Sequence, residues 1–297
     1  MNRIQGTIVS IDELTRELVI ATRKRRWHVV MQRSAFNQYF KFLAPGHTII
    51  GDIKVTRAHR PPHLKLRVSL TRVYQIHQPH PRGRLVFYSH QHVQKQTGRF
   101  INSLGMKLFL DLEMSMHPYK IDKTFVQEVI QAGYVLTDAT GTVLKRYAAF
   151  IRPTRHRKLT PRTLKFLDLT QTDVDQGIPY TEFHQHLISL IETHQPAIIV
   201  WGMNDALALR DAADINGLPR LPKRTRFVNL LKLHKNYFAL KDDLGLVNAY
   251  KLYGHRLDNQ RHDALEDAEM TRCIFTGFQK HINGALRIDR TVLNKVK

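Results

Sequence analysis

Two carboxylates lie close together where an apolar segment of the chain ends. In "KLFLDLEMS", residues 107–115, Asp111 and Glu113 are one residue apart and follow a run typical of a buried strand. Because alternate residues of a strand point to the same face, both side chains project together near the strand's C-terminal end. Two anions held so close repel each other, and hard cations such as Mg²⁺ or Mn²⁺ relieve the repulsion by binding carboxylate oxygens. By itself the pair is a weak indication of such a site, since an Asp-x-Glu pattern is common by chance.

Two further acids and a histidine occur in matching contexts. Asp205 falls in the first turn of a predicted helix after the apolar strand "PAIIVWG", at the sheet edge where active sites of open α/β proteins gather. Asp267 lies inside the amphipathic helix of "RHDALEDAEM", five residues after His262. Five residues turn a helix by about 500°, so we expect His262 on the loop before the helix, where it can reach the acids. Taken singly, each also has a simpler interpretation. Asp205 could be a helix-start acid, Asp267 a solvated helix acid and His262 a surface histidine.

The set is more informative than its members. Four carboxylates from three separated segments, together with a histidine, match what two-metal phosphodiester cleavage requires, namely two ions about 4 Å apart and a base that deprotonates water. The motifs "FLDLEMS", "VWGMNDALAL" and "HDALEDA" resemble, in this order, those of the DEDDh 3′-5′ exonucleases of the RNase H-like fold. This resemblance covers about residues 105–283. Together with the segment "LTQTDVDQGIPYTEF", the motifs most resemble those of the branch of RNA-trimming exonucleases that process histone messages and small RNAs.

The resemblance implies a role for each residue of the site. His262 is the implied general base, and the implied ligands of two Mg²⁺ or Mn²⁺ ions are Asp111, Glu113, Asp205 and Asp267. Relatives hold the terminal nucleotide near the first motif, which makes Leu112 and Met114 candidates for substrate binding, although both could equally be core residues of the strand. Met114 stands where many relatives have a small hydroxyl residue.

The implied activity is hydrolysis of single-stranded nucleic acid from its 3′ end to nucleoside 5′-monophosphates, with RNA preferred over DNA. A DNA proofreading or repair exonuclease is one alternative. A catalytically inactive nucleic-acid-binding protein that retains the fold is another, but a scaffold has no need to keep four mutually repelling carboxylates.

The charge of the chain is strongly positive and unevenly distributed. The 297 residues carry a formal net charge of +21, which indicates a polyanionic partner. Residues 1–100 contain 18 Lys and Arg against 4 Asp and Glu, and the remaining residues contain 28 against 21. A basic host proteome does not explain this asymmetry. No apolar run is long enough to span a membrane, the N-terminus lacks a secretory pattern, and the single Cys273 fits a reducing compartment, so we expect a cytoplasmic protein without a membrane partner.

The first 75 residues predict a small β-rich domain. Five segments rich in Ile, Val and Thr predict strands, and a helix is predicted in "RSAFNQYFKFLAPG" between the third and fourth. This is the element order of an OB-type barrel, although other small barrels share it. We therefore predict that residues 1–76 form a basic, OB-like nucleic-acid-binding module.

A basic cluster lies in a predicted hairpin of this module, directly before Trp27. Its members are expected to contact substrate phosphates: Arg23, Lys24, Arg25 and Arg26. For Trp27 a core position is favoured over a base-stacking role.

The remaining boundaries follow from changes in composition. Residues 77–104, enriched in His, Gln and Pro, are predicted as a linker, 105–283 as the nuclease domain and 284–297 as a basic C-terminal tail. Within the nuclease domain three strands precede a polar loop containing "LTPRTLKFL", and the strand "PAIIVWG" lies between helices, with "FVNLLKLHKNYF" also predicted helical. Such an order favours an α/β fold with an RNase H-like mixed sheet covered by helices on both faces.

Overall fold

The protein divides into two compact units, Met1–Gln96 and Thr97–Lys297, which are described separately below. The computed structural model describes residues 2–57, 66–79, 85–120, 124–257, 262–288 and 290–295. Parts of the predicted linker (80–84) and of the predicted tail (289, 296–297) lie outside these residues. Among the described helices, none is long and apolar enough to cross a membrane.

The N-terminal unit is mainly β-structure. Its elements in chain order are β1 (Asn2–Asp12), β2 (Glu17–Ala21), β3 (Arg26–Met31), α1 (Arg33–Tyr39) with a 3-10 turn (Phe40–Phe42), β4 (Thr48–Arg57), β5 (Leu66–His77) and β6 (Leu85–Tyr88), followed by α2 (His90–Asn102). The predicted order of three strands, a helix and two strands is confirmed. Residues 77–104, predicted as a linker, contain β6 and the whole of α2.

The first five strands pair in a cycle. Antiparallel pairs join β1 to β2, β2 to β3, β4 to β1 and β4 to β5, and a parallel pair joins β3 to β5. Alternate residues such as Ile4, Ile8, Leu18 and Ile20 are buried in a shared hydrophobic core, because side chains of a strand alternate between its two faces.

The second unit alternates strands and helices. Its elements are β7 (Lys107–Met114), β8 (Val129–Thr137), β9 (Val143–Arg152), α3 (Pro161–Leu167), α4 (Gln171–Asp175), β10 (Ile178–Pro179), α5 (Tyr180–His194), β11 (Ala197–Val200), α6 (Asn204–Ile215), β12 (Arg226–Asn229), α7 (Leu230–Phe238), α8 (Leu246–Leu252), α9 (Ala264–Ile282) and α10 (Arg290–Lys295).

These strands form one mixed sheet of order β10-β9-β8-β7-β11-β12. The central strand β7 pairs antiparallel with β8 and parallel with β11. One face of the sheet packs under α5 and α6, and the other under α7, α8 and α9. The predicted α/β class, with a mixed sheet covered on both faces, is confirmed.

Two local predictions are wrong. The segment "LTPRTLKFL" is helix α3 rather than a polar loop, because the Thr160 side chain accepts a hydrogen bond from the Thr163 N–H and Pro161 occupies the first turn. The start of "FVNLLKLHKNYF" is strand β12, which pairs parallel with β11 before Asn229 caps α7.

Helix α9 approaches the sheet most closely at Gly133 of β8. A Cβ atom at this position would lie 2.2 Å from both the Ala264 carbonyl carbon and the Leu265 nitrogen. These are backbone atoms of the first turn of α9, which cannot move aside independently. Gly133 is paired with Asp111 of β7, so the absence of a side chain here allows the start of α9 to lie beside the carboxylates.

We therefore expect Gly133→Ala to destabilise the protein by about 1–3 kcal/mol, at the upper end of the range for overpacking because the obstruction is backbone. Urea unfolding followed by circular dichroism measures the change. Gly105→Ala is the matched control, since nothing lies within 4 Å of its added methyl. Equal stability of the two variants would show that α9 does not depend on Gly133.

Candidate active site

Strand β7 divides its side chains between the two faces of the sheet. Leu112 points to the α5 and α6 side and is buried in the core there. Asp111 and Glu113 therefore point to the opposite face, where α9 lies. Phe109, two residues earlier on this face, packs against Phe275 of α9 with ring centroids 5.5 Å apart.

Helix α6 brings Asp205 to the same strand end. After β11, Gly202 turns the chain with a φ of 116°, a conformation that favours glycine, and α6 begins at Asn204. The Leu112 N–H donates a hydrogen bond to Asp205 Oδ1 at 3.0 Å. The Asp205 side chain is 6% exposed, so this bond directly ties the second motif to the first.

The start of α9 is fixed by a pair of side chains that the sequence did not single out. Asp263 caps the helix by accepting hydrogen bonds from the Leu265 and Glu266 N–H groups. Gln131 of β8, which pairs with Glu113, donates to Asp263 Oδ2 at 2.7 Å and accepts from the Ala264 N–H. These hydrogen bonds, here called the Asp263–Gln131 clamp, fix the start of α9 and thereby the position of His262 before it.

His262 and Asp267 reach the carboxylates from either side of this cap. His262 precedes the helix, as the spacing predicts, and its Nδ1 lies 3.9 Å from Glu113 Oε1. Asp267 points inward from the first turn of α9. Potential ligand atoms of Glu113, His262 and Asp267 all lie within 4.8 Å of one another.

Helix α3 contributes an aromatic ring. The half-exposed Phe166 stacks on His262 with centroids 4.4 Å apart and planes at 20°. Its helix is tied to the chain just after β7, because the Met116 N–H donates to Thr163 Oγ1 and the Thr160 hydroxyl donates to the Met116 carbonyl. No local pattern in the sequence signals this tertiary contact.

The loop before α3 is held by a buried carboxylate outside the cluster. Glu128 accepts hydrogen bonds from the backbone N–H groups of Thr154, Arg155 and His156. These donors favour the charged form and lower the pKa of Glu128 despite its burial. The residue therefore positions the loop, and its environment contrasts with that of the site carboxylates.

Burial raises the pKa of all four site carboxyls. Burial is the largest cause for each, followed by neighbouring acids except at Asp205. The pKa of Asp111 is well above its usual value, and the pKa of Glu113 is raised to about 8, that of Asp267 to about 7 and that of Asp205 to about 6. The Leu112 hydrogen bond opposes the shift at Asp205.

The donor set fits hard divalent cations. Within the described part of the chain, His262 is the only basic side chain that forms an ion pair with these four carboxylates. Clustered carboxylate oxygens without a lysine or arginine partner are the ligands that Mg²⁺ and Mn²⁺ prefer.

Met114 directly follows Glu113 and is less buried than Leu112, although it packs against the same core. It lines an open cavity of about 350 Å³ together with Gln127, Asn204 and Leu207. Leu112 instead contributes a buried core side chain. Trp201 packs against the core on the other face of the sheet, and its Nε1 donates to the Leu244 carbonyl.

The basic residues predicted in the N-terminal unit do not all face the same way. Arg23, Lys24 and Arg25 border one open groove of that unit, whereas Arg26 lies outside it. Arg3 of β1, which the sequence did not single out, borders the same groove.

The second unit is similar to known nucleases. Residues 108–275 match the model of the exonuclease family (RNase_T). The probable 3′-5′ exonuclease KapD of Bacillus subtilis (strain 168) is 31% identical over 162 residues, which make up 54% of this chain and 78% of that protein.

Two solved structures share the fold of this unit. The nuclease domain of 3′hExo, a DEDDh family member, bound to rAMP, has a TM-score of 0.53 at 18% identity and covers 63% of this chain and 97% of its own. A 3′-exonuclease in a structure of 3′-end specific recognition of histone mRNA stem-loop has a TM-score of 0.53 at 17% identity, with 63% and 86% covered.

The raised pKa values predict how stability depends on pH without divalent cations. The folded protein holds protons on Glu113 and Asp267 that the unfolded chain releases above about pH 4–5, so their stabilising contribution is lost as pH rises through about 7 and 8. We expect the Tm in EDTA to fall between about pH 5 and about pH 8.

Differential scanning fluorimetry of variants identifies the groups responsible. Glu113→Gln is neutral at every pH and should flatten the decline in Tm. Glu192→Gln, an exposed acid of α5, is the control and should leave it unchanged. A decline as steep in Glu113→Gln as in the unmodified protein would contradict the assignment.

Proposed function

The chain belongs to the exonuclease family and is a 3′-5′ exonuclease of the DEDDh type, and on this premise we propose that it degrades single-stranded RNA from the 3′ end by two-metal catalysis. The products are nucleoside 5′-monophosphates. One observation carries the proposal: four carboxylates with raised pKa values and one histidine converge at the end of β7.

Each residue of the cluster has a proposed role. The carboxylates that would hold two Mg²⁺ or Mn²⁺ ions are Asp111, Glu113, Asp205 and Asp267. Bound there, the ions would neutralise the carboxylates and stabilise negative charge on the oxygen of the attacking water and on the leaving oxygen of the phosphodiester. His262 in its neutral form accepts the proton of the attacking water. The Asp263–Gln131 clamp keeps the imidazole close to Glu113.

Three residues next to the cluster have supporting roles, and one of them is proposed to contact the substrate. Met114 borders the cavity beside the site and is proposed to contact the terminal nucleoside. The buried Leu112 acts through its backbone N–H, which orients Asp205. Phe166 covers one face of His262 and limits the positions the imidazole can adopt.

RNA is proposed as the preferred substrate. The support is the fold shared with a nuclease domain bound to rAMP and with a 3′-exonuclease that recognises a histone mRNA stem-loop. A DNA proofreading or repair role is the second candidate, since the carboxylates act on the phosphodiester that RNA and DNA have in common.

The N-terminal unit is proposed to be an OB-like nucleic-acid-binding module. Strand pairing in a cycle, with a helix between β3 and β4, is the arrangement expected of a small Greek-key barrel of this kind. Of the four basic residues predicted to contact phosphates, Arg23 and Lys24 keep that proposed role, and Arg26 lies outside the groove that they border. The domain limits of 1–76, 105–283 and 284–297 remain predictions.

We expect His262→Ala to reduce turnover of a labelled oligonucleotide by about 10²–10⁴-fold, the usual contribution of a general base, while Mn²⁺ binding persists. His194→Ala, at an exposed position of α5, is the matched control. A gel-based cleavage assay and calorimetric Mn²⁺ titration give the two readouts. Cleavage by His262→Ala at the unmodified rate would remove this residue from the mechanism.

Asp111→Ala is expected to lose both cleavage and Mn²⁺ binding, because the carboxylate is a proposed ligand. Asp242→Ala, an exposed loop variant, should lose neither. If the unmodified protein binds oligonucleotides in Mn²⁺ without shortening them, the chain is a nucleic-acid-binding protein on a nuclease scaffold.

Matched RNA and DNA oligonucleotides test the preference for RNA. At equal length and sequence we expect faster release of 5′-monophosphates from RNA by the full chain in Mg²⁺. A faster rate on DNA would favour the proofreading or repair role.

A further inference from the structure

An open groove of about 1130 Å³ lies on the N-terminal unit. The start of β1, the turn between β2 and β3, and Trp27 at the start of β3 form its walls. Among the described residues that line it, none is acidic. Four cationic side chains border it, namely Arg3, Arg23, Lys24 and Arg25. A concave surface with this charge is complementary to a phosphodiester backbone.

The turn that carries these cations is closed by its own hydrogen bonds. The Thr22 N–H and hydroxyl both donate to the Arg25 carbonyl at 2.9 Å, and the Arg25 N–H donates to Thr22 Oγ1. Arg23 and Lys24 are consequently held at the tip of a defined turn. The cations thus need little backbone ordering when an anion binds.

Two flat groups stack at the side of the groove. The Arg25 guanidinium lies 3.6 Å from the centroid of the Trp27 ring. Trp27 is half-buried and packs against the core of the unit, which fixes the orientation of its ring. Nucleobases stack both on aromatic rings and on the planar guanidinium of arginine, whatever their sequence.

We propose that this groove is a binding site for single-stranded nucleic acid that does not require a 3′ end. Phosphates contact Arg3, Arg23 and Lys24, and an unpaired base stacks on the Arg25–Trp27 pair. The proposal rests on the proposed nucleic-acid-binding role of the N-terminal unit, and it adds the location of the site and its selectivity for unpaired bases. In a duplex the base faces are stacked within the helix, so a duplex offers the groove phosphates alone.

The test uses the full chain in EDTA and a circular single-stranded DNA, which has no end for the nuclease site to accept. Binding is expected to quench the fluorescence of Trp27. Trp27→Leu should remove this quenching and weaken binding about tenfold, within the range for loss of one stacked base. The slope of log affinity against log salt is negative, and Arg23→Ala combined with Lys24→Ala should reduce its magnitude by about 1.4, because two phosphate contacts are lost.

The control is Arg33→Ala combined with Lys54→Ala, which removes the same charge from exposed positions of the unit that do not border the groove. It should retain the quenching and lose less affinity. If Trp27→Leu does not fold, the salt dependence of the Arg23 and Lys24 variant decides, since both residues are exposed at the tip of a turn.

Three results would overturn the proposal: equal affinity of the groove variants and the unmodified protein, an equal loss in the control, or equal quenching by duplex DNA or phosphatidylglycerol vesicles. Hydrolysis of a trinucleotide in Mg²⁺ separates the two proposals. Failure of the groove leaves this hydrolysis intact, whereas failure of the proposed nuclease activity leaves binding of the circle intact.

Discussion

The second unit is organised around the free-energy cost of holding four carboxylates together away from water. Desolvation disfavours the charged form of each of these groups and raises its pKa, and repulsion by neighbouring acids adds to the shift at Asp111, Glu113 and Asp267. The surrounding contacts offset this cost without neutralising the cluster. Leu112 N–H binds Asp205, Gln131 binds Asp263, and the core under each face of the sheet keeps the three segments in place. The cluster consequently offers its oxygens to the divalent cations proposed to bind there.

Strand β7 both anchors the site in the core and carries two of its carboxylates, because its two faces differ. Its leucines lie in the core under α5 and α6, while Phe109, Asp111 and Glu113 face α9. The rigidity of the site therefore comes from the apolar face of the strand, and its chemistry comes from the other. Glu128 shows what a buried carboxylate requires when its function is structural. Its oxygens accept backbone N–H groups, and its pKa is lowered instead of raised.

The sequence predicts much of this site because its signals are local. The alternation in β7 places Asp111 and Glu113 together, and the spacing before α9 places His262 on a loop. Helix α3 was missed although Thr160 and Pro161 form a recognisable helix start, and β12 was missed because four residues of edge strand run directly into a helix. The contacts of Phe166 with His262 and of Gln131 with Asp263 join residues distant in sequence, so no local pattern reveals them.

The docking of α9 at Gly133 has a consequence for the nascent protein. Ribosomes synthesise β7 and β8 long before α9, and domains tend to fold as their residues emerge. Asp111 and Glu113 can therefore be in place while His262 and Asp267 have not yet been translated. Until α9 reaches Gly133, the chain lacks one of the proposed metal ligands and the proposed base, so the proposed site is completed only when this late helix packs on its sheet face.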